Sequence, residues 1–167
     1  MIKVPFPHMV LNAHSAPGEE FRMWNTWKVA KSTSVDDMVG WIATVAKSAP
    51  GGKLETLIFN GHGKPGRIKI GQGITRSDVE KFGKLYGLVA RIWIVACKVA
   101  RIDDAGSITD GNYFCYRLAQ ESGAYVRASS ATQIAYPNLL VANFIPYGHI
   151  DEWEGDVFTW NPKGKLC

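Results

Sequence analysis

Two apolar stretches, LIFNGHG at residues 57–63 and IWIVAC at residues 92–97, decide the fold of this chain. Each begins with a short apolar run, the pattern of a buried strand in a parallel sheet. A reactive side chain follows each run, His62 after the first and Cys97 after the second. Because reactive groups collect at the carboxyl edge of an open α/β sheet, we expect these two side chains at one edge.

Amphipathic segments alternate with the predicted strands along the chain. A helix start is predicted at Ser34, because acidic residues follow it in the first turn and apolar residues then share one face. Strands that alternate with helices predict right-handed crossovers and a mainly parallel sheet covered on both faces. The predicted helices cover residues 34–48, 75–86 and 110–121; the predicted strands cover residues 9–12, 21–29, 54–60, 90–96, 124–129 and 156–160, with a small flap strand at 67–70.

Composition limits the class of protein. A chain of 167 residues with 46% hydrophobic content can bury one substantial core, so one domain over residues 1–167 is expected. The net charge is +4, but 19 basic residues are scattered among 15 acidic ones, and nucleic acid is not a predicted partner. No apolar stretch approaches the roughly 20 residues of a membrane span, and the start lacks a signal-peptide layout. We expect a cytoplasmic protein, or one exported without a cleavable signal peptide.

Cysteine and histidine spacing argues against metal sites and disulfides. The three cysteines have no paired spacing, so reduced thiols are expected. Three of the four histidines share no ligand spacing, and no dinucleotide or P-loop motif occurs. The residues concerned are Cys97, Cys115 and Cys167, and His8, His14 and His149.

Cys97 and His62 suit nucleophilic catalysis. A thiolate is a strong nucleophile, and a nearby positive charge or helix start lowers the pKa of a thiol. The glycine after His62 leaves room for a substrate backbone, and the N–H of Gly63 is a candidate oxyanion donor. A small core cysteine and a turn-capping histidine are the alternative interpretation of the same residues.

The two motifs, NGHG at 60–63 and VAC at 95–97, resemble those of the caspase-like cysteine peptidases. That class includes caspases, gingipains, clostripain, separases and the self-cleaving domains of large clostridial toxins. Residues 90–128 are closer still to an uncharacterised caspase-like domain of large bacterial surface proteins. The resemblance covers about residues 54–130, with a family-like ending at 153–155.

The resemblance implies a three-layer α/β/α sandwich with a mainly parallel central sheet, and a cysteine endopeptidase that acts through a thioester. Cys97 would attack a peptide carbonyl, His62 would protonate the leaving amine, and the N–H groups of Gly63 and Cys97 would hold the oxyanion. The residue before the cleaved bond would lie against a wall formed by Ser129 and Ser130. A protein or peptide substrate is implied, and no metal or organic cofactor.

Two acidic residues after Cys97, Asp103 and Asp104, are candidates to bind a basic substrate residue. Cys97 is followed by Lys98 and Val99, rather than by the Arg-Gly of caspases, so a preference for aspartate is not carried over. Two alternatives stay open. One is a catalytically inactive caspase-like binding or effector module, and the other is a thiol-dependent hydrolase or acyl transferase acting on something other than peptide. The sequence predicts no oligomeric state.

Overall fold

The computed structural model describes residues 1–16, 18–133 and 145–167. A six-stranded sheet lies at its centre, and two short antiparallel pairs lie outside it. The strands are β1 (Ile2–Lys3), β2 (His8–Ala13), β3 (Asn25–Val29), β4 (Leu54–Asn60), β5 (His62–Lys64), β6 (Arg67–Lys69), β7 (Val89–Val95), β8 (Tyr125–Ser129), β9 (His149–Ile150) and β10 (Val157–Trp160); the helices are α1 (Val35–Ser48) and α2 (Gly111–Ser122), with 3₁₀ segments at Pro50–Gly52 and Arg76–Leu85.

The central sheet has the strand order β3-β2-β4-β7-β8-β10. The first four pairings in this order are parallel, and β10 is antiparallel to β8. A mainly parallel sheet in an α/β fold is therefore confirmed. The outer pairs, β1 with β9 and β5 with β6, are antiparallel.

Both α-helices begin with a side-chain cap, and the helix start predicted at Ser34 is confirmed. The Ser34 side chain accepts a hydrogen bond from the N–H of Asp37, and the Asp110 side chain accepts one from Tyr113. These bonds satisfy N–H groups that lack partners within the first turn. The helix predicted over 75–86 is instead a 3₁₀ segment, with a capping box at Thr75. Among the described residues, no helix combines the length and apolarity needed to cross a bilayer.

The helices α1 and α2 and the 3₁₀ segment Arg76–Leu85 pack on one face of the sheet. Their buried residues belong to one large cluster with Leu57, Phe59 and Ile92, while the alternate strand residues Ile58 and Trp93 belong to a second, smaller cluster. The connections from β3 to β4, β4 to β7 and β7 to β8 all run in the same direction across the sheet. Right-handed crossovers that run the same way must lie on the same face.

The sequence predicts helices on both faces of the sheet. Among the described residues, the opposite face is covered by extended segments instead. The connection from β2 to β3 runs the other way across the sheet, and it contributes Phe21 and Met23 to the smaller cluster. Phe21 and Met23 had been predicted to be strand residues, but β3 begins only at Asn25. Within the described ranges, extended segments and the short pair β1 and β9 cover this face.

Candidate active site

His62 and Cys97 leave the sheet at the same edge. β4 and β7 are neighbouring parallel strands in which Asn60 pairs with Val95. His62 and Cys97 each come two residues after this pair. The N–H of Gly61 also donates to the carbonyl of Val95 at 3.2 Å, so the two chains stay together beyond the strand ends.

The main chain at Gly63 lies directly against that of Cys97. A Cβ atom on Gly63 would overlap the carbonyl oxygen of Cys97, and it would lie 2.7 Å from Cγ2 of Val99 and 3.0 Å from Cβ of Ala96. Real Cβ atoms do not approach other atoms so closely, and only glycine fits here. The strand β5, which carries His62, therefore packs directly against the segment that carries Cys97.

The direction of the His62 side chain follows from strand alternation. The Cα of Gly63 faces Ala96 and Val99, which belong to the larger cluster. Successive side chains of a strand point to opposite sides, so His62 points to the other side of the hairpin of β5 and β6.

Both reactive side chains reach the surface to some extent. His62 is exposed and Cys97 is half-buried. The thiol of Cys97 donates to the carbonyl oxygen of Gln133, with an Sγ to O distance of 3.5 Å. The following residue, Lys98, has a left-handed backbone (φ 57°), and its N–H donates to the carbonyl of Ala131 at 2.8 Å.

The N–H of Gly63 is not engaged by the neighbouring strand of its hairpin. Gly63 pairs with Ile68 in the antiparallel hairpin of β5 and β6. Ile68, however, exchanges both of its backbone hydrogen bonds with Ile74, at 3.0 and 2.8 Å. Since a residue of an antiparallel strand directs both of its backbone groups to one side, the N–H of Gly63 points away from β6.

The two predicted wall residues differ in their surroundings. Ser129 is fully buried; its hydroxyl donates to the carbonyl of Glu154 at 2.7 Å and accepts from the N–H of Ala131 at 3.0 Å. Ser130 is half-buried, and its N–H donates to the carbonyl of Asp156 at 3.1 Å. The buried hydroxyl of Ser129 therefore stabilises the end of β8 through its hydrogen bonds. Ser130 is the residue of the pair that reaches the surface.

Asp103 and Asp104 lie on an exposed loop. Asp103 pairs with Arg101 at 2.7 Å, and the carbonyl of Asp104 accepts two hydrogen bonds from Ser107. Asp103 also lines a cavity of about 660 Å³ at the tip of the β5–β6 hairpin, and the lining residues of this cavity include neither His62 nor Cys97. Among the described residues, neither carboxylate forms a hydrogen bond or an ion pair with the Cys97 thiol.

A buried pair of asparagines, which the sequence analysis did not single out, ties a loop across the sheet near this edge. Nδ2 of Asn60 donates to Oδ1 of Asn12 at 2.7 Å and to the carbonyl of Glu19 at 3.2 Å. Asn12 in turn exchanges two hydrogen bonds with the backbone of Phe21, at 3.0 and 3.1 Å. The sequence signal for this pair was one polar residue in each of two otherwise apolar strands. A buried amide needs hydrogen-bond partners, so two such residues on neighbouring strands are expected to bond to each other or to nearby backbone.

Trp153 fixes the segment 153–155 against the end of β7. Its indole N–H donates to the carbonyl of Ile94 at 3.0 Å, and its ring packs edge-on against Trp93. Arg127 lies over the same ring. The aromatic side chain thus places the neighbouring residue, Glu154, close to the strand that leads to Cys97.

Comparison of the chain with protein-family models, with curated proteins and with solved structures gives no match.

Proposed function

We propose that the protein is a cysteine peptidase of the caspase-like class, with Cys97 as nucleophile and His62 as general acid and base. The observation that carries this proposal is the seating of Gly63 on Cys97, because it holds a histidine and a half-buried thiol at one sheet edge. The mainly parallel sheet supports the assignment. The three-layer α/β/α arrangement of that class is not carried into the proposal, because among the described residues the helical segments pack on one face of the sheet.

In the proposed reaction, the thiol proton passes to His62 and the sulfur of Cys97 bonds to the carbonyl carbon of a peptide. The resulting charge on the carbonyl oxygen is stabilised by the N–H groups of Gly63 and Cys97. The C–N bond then breaks, the amine leaves with the proton held by His62, and a thioester remains on Cys97. Water attacks this thioester and gives a proton to His62, which returns it to the sulfur as the acid product leaves.

The surface beside the end of β8 is the proposed substrate wall. Ser130 is its accessible residue, with Ser129 supporting it from behind through the bond to Glu154. Asp103 and Asp104 take no part in this wall, because they lie on the loop beyond the hairpin tip. No cofactor enters the proposed reaction, since the thiol and the imidazole supply both the nucleophile and the proton transfers.

The proposal is tested by incubating the protein with a peptide library and comparing Cys97→Ala and His62→Ala with the parent chain. Each variant is expected to lose at least about 100-fold in hydrolysis, because the nucleophile and its proton carrier act as a unit. Cys167→Ser is the matched control, since Cys167 is exposed at the chain end. Hydrolysis that persists in Cys97→Ala, or a parent chain that cleaves no peptide, would refute the proposal.

A catalytically inactive binding module of the same class is the second candidate. The observation in its favour is the hydrogen bond from the Cys97 thiol to the Gln133 carbonyl, because a thiol so engaged is not the reactive form. This candidate predicts that a peptide ligand binds without being cleaved. Isothermal titration of cleavage-resistant peptides, set beside the hydrolysis assay, separates the two.

A further inference from the structure

The side chain of Gln133 clamps the backbone of Glu154 at two points. Its amide oxygen accepts from the N–H of Glu154 at 3.0 Å, and its amide nitrogen donates to the carbonyl of Glu154 at 3.2 Å. The same carbonyl accepts the buried hydroxyl of Ser129 at 2.7 Å. Because three hydrogen bonds converge on the backbone groups of this one residue, the chain at Gln133 is fixed relative to the end of β8 and the segment after Trp153.

The segment 131–133, which carries the Gln133 side chain, also forms hydrogen bonds with Cys97 and the residue after it. The carbonyl of Ala131 accepts the N–H of Lys98, and the carbonyl of Gln133 accepts the thiol of Cys97. The orientation of the thiol therefore depends on where the main chain at Gln133 lies. That position depends in turn on the two hydrogen bonds between the Gln133 side chain and the backbone of Glu154.

This hydrogen bond has a direct effect on reactivity. The sulfur of a nucleophilic cysteine must be free to approach the carbonyl carbon of its substrate. A Cys97 thiol that donates to the Gln133 carbonyl has to break this bond before it can do so.

We propose that Gln133 is a positioning residue that holds the Cys97 thiol turned toward its own carbonyl in the resting protein. Attack on a substrate then requires the thiol to leave this carbonyl and give its proton to His62. The catalytic consequence rests on the proposed function, whereas the effect on the thiol itself does not.

The test is the rate at which iodoacetamide alkylates Cys97 at pH 7, followed by peptide mass spectrometry. In Gln133→Ala, which removes both clamp bonds, this rate is expected to be about three- to tenfold higher. Gln133→Met keeps about the same side-chain length without either hydrogen-bonding group, and the same direction is expected. Gln72→Ala is the matched control, because Gln72 is exposed and donates to the carbonyl of Ser32.

A general loosening of the structure would also raise the rate at Cys115, which is fully buried, and that result would overturn the proposal. So would an unchanged rate at Cys97 in Gln133→Ala, or in Gln133→Met if the alanine variant does not fold. If the rate rises at Cys97 and not at Cys115 while the parent chain cleaves no peptide, the positioning role stands and the proposed peptidase activity fails.

Discussion

Gly63 is packed against the main chain of Cys97 so closely that a methyl group at position 63 would overlap the Cys97 carbonyl oxygen. This contact joins the hairpin of β5 and β6 to the loop after β7. The tip of the hairpin is tied to the same loop, since the N–H of Gly66 donates to the carbonyl of Val99 at 3.1 Å. The spacing of His62 and Cys97 thus depends on a residue that has no side chain.

Gly63→Ala is therefore expected to push the hairpin away from Cys97. Its main chain is not in the left-handed region, so the cost is steric, about 1–3 kcal/mol in the free energy of unfolding. Any hydrolytic activity should fall by about tenfold or more, because small displacements of catalytic groups are costly. Urea denaturation and the peptide assay measure the two effects.

The matched control is Gly40→Ala, because no atom lies within 4 Å of a Cβ at that helical position. Replacing this helix-interior glycine is expected to stabilise the protein by about 0.5–1 kcal/mol and to leave activity unchanged. If Gly63→Ala behaves like Gly40→Ala, the close approach to Cys97 is not present in solution.

The pair of Asn12 and Asn60 is expected to be a main anchor of the loop that covers the second face. Asn12→Ala removes the acceptor for Asn60 and both hydrogen bonds to Phe21, which leaves buried polar groups unpaired. We expect a loss of about 3 kcal/mol in the free energy of unfolding, measured by urea denaturation. Asn25→Ala, at the half-buried start of the edge strand, is expected to change stability by no more than about 0.5 kcal/mol. Equal effects at both positions would contradict this role.

The strands and helices that form the site were predictable from local pattern. Leu54–Asn60 was predicted with the observed bounds, and the strand predicted over 90–96 is found at Val89–Val95. Their parallel pairing follows from the helical segment between them, so the common edge of His62 and Cys97 follows from chain order alone.

What the sequence did not predict depends on contacts between distant residues. Phe21 is outside β3 because its backbone groups bond to the side chain of Asn12, a partner that alternation alone does not identify. The acceptor for the Cys97 thiol lies 36 residues further along the chain, at Gln133. Asp103 and Asp104 follow Cys97 closely in sequence, yet the loop carries them to the hairpin tip.

The three cysteines are expected to react at very different rates in the folded protein. Burial, with a contribution from the Asp110 carboxylate, raises the pKa of the Cys115 thiol, and no surface of Cys115 is exposed. Cys167 is exposed, and Cys97 is half-buried. Alkylation followed by mass spectrometry should therefore label Cys167 first, Cys97 more slowly, and Cys115 only after unfolding. Early labelling of Cys115 under native conditions would show that the α2 face of the core opens readily.

His8 is expected to make stability depend on pH. It is buried in β2, its Nδ1 accepts from the N–H of Trp24 at 2.9 Å, and burial lowers its pKa from the ordinary 6.5. At pH values between the lowered pKa and 6.5, the unfolded chain binds a proton that the folded chain does not, so stability is complete above that window and falls as the pH drops through it. His8→Asn keeps an acceptor for Trp24 but does not titrate, and denaturation at a series of pH values should show this part of the slope removed. His149→Asn, at a half-exposed histidine, is expected to keep the slope, and a slope that survives in His8→Asn would assign the acid sensitivity to another group.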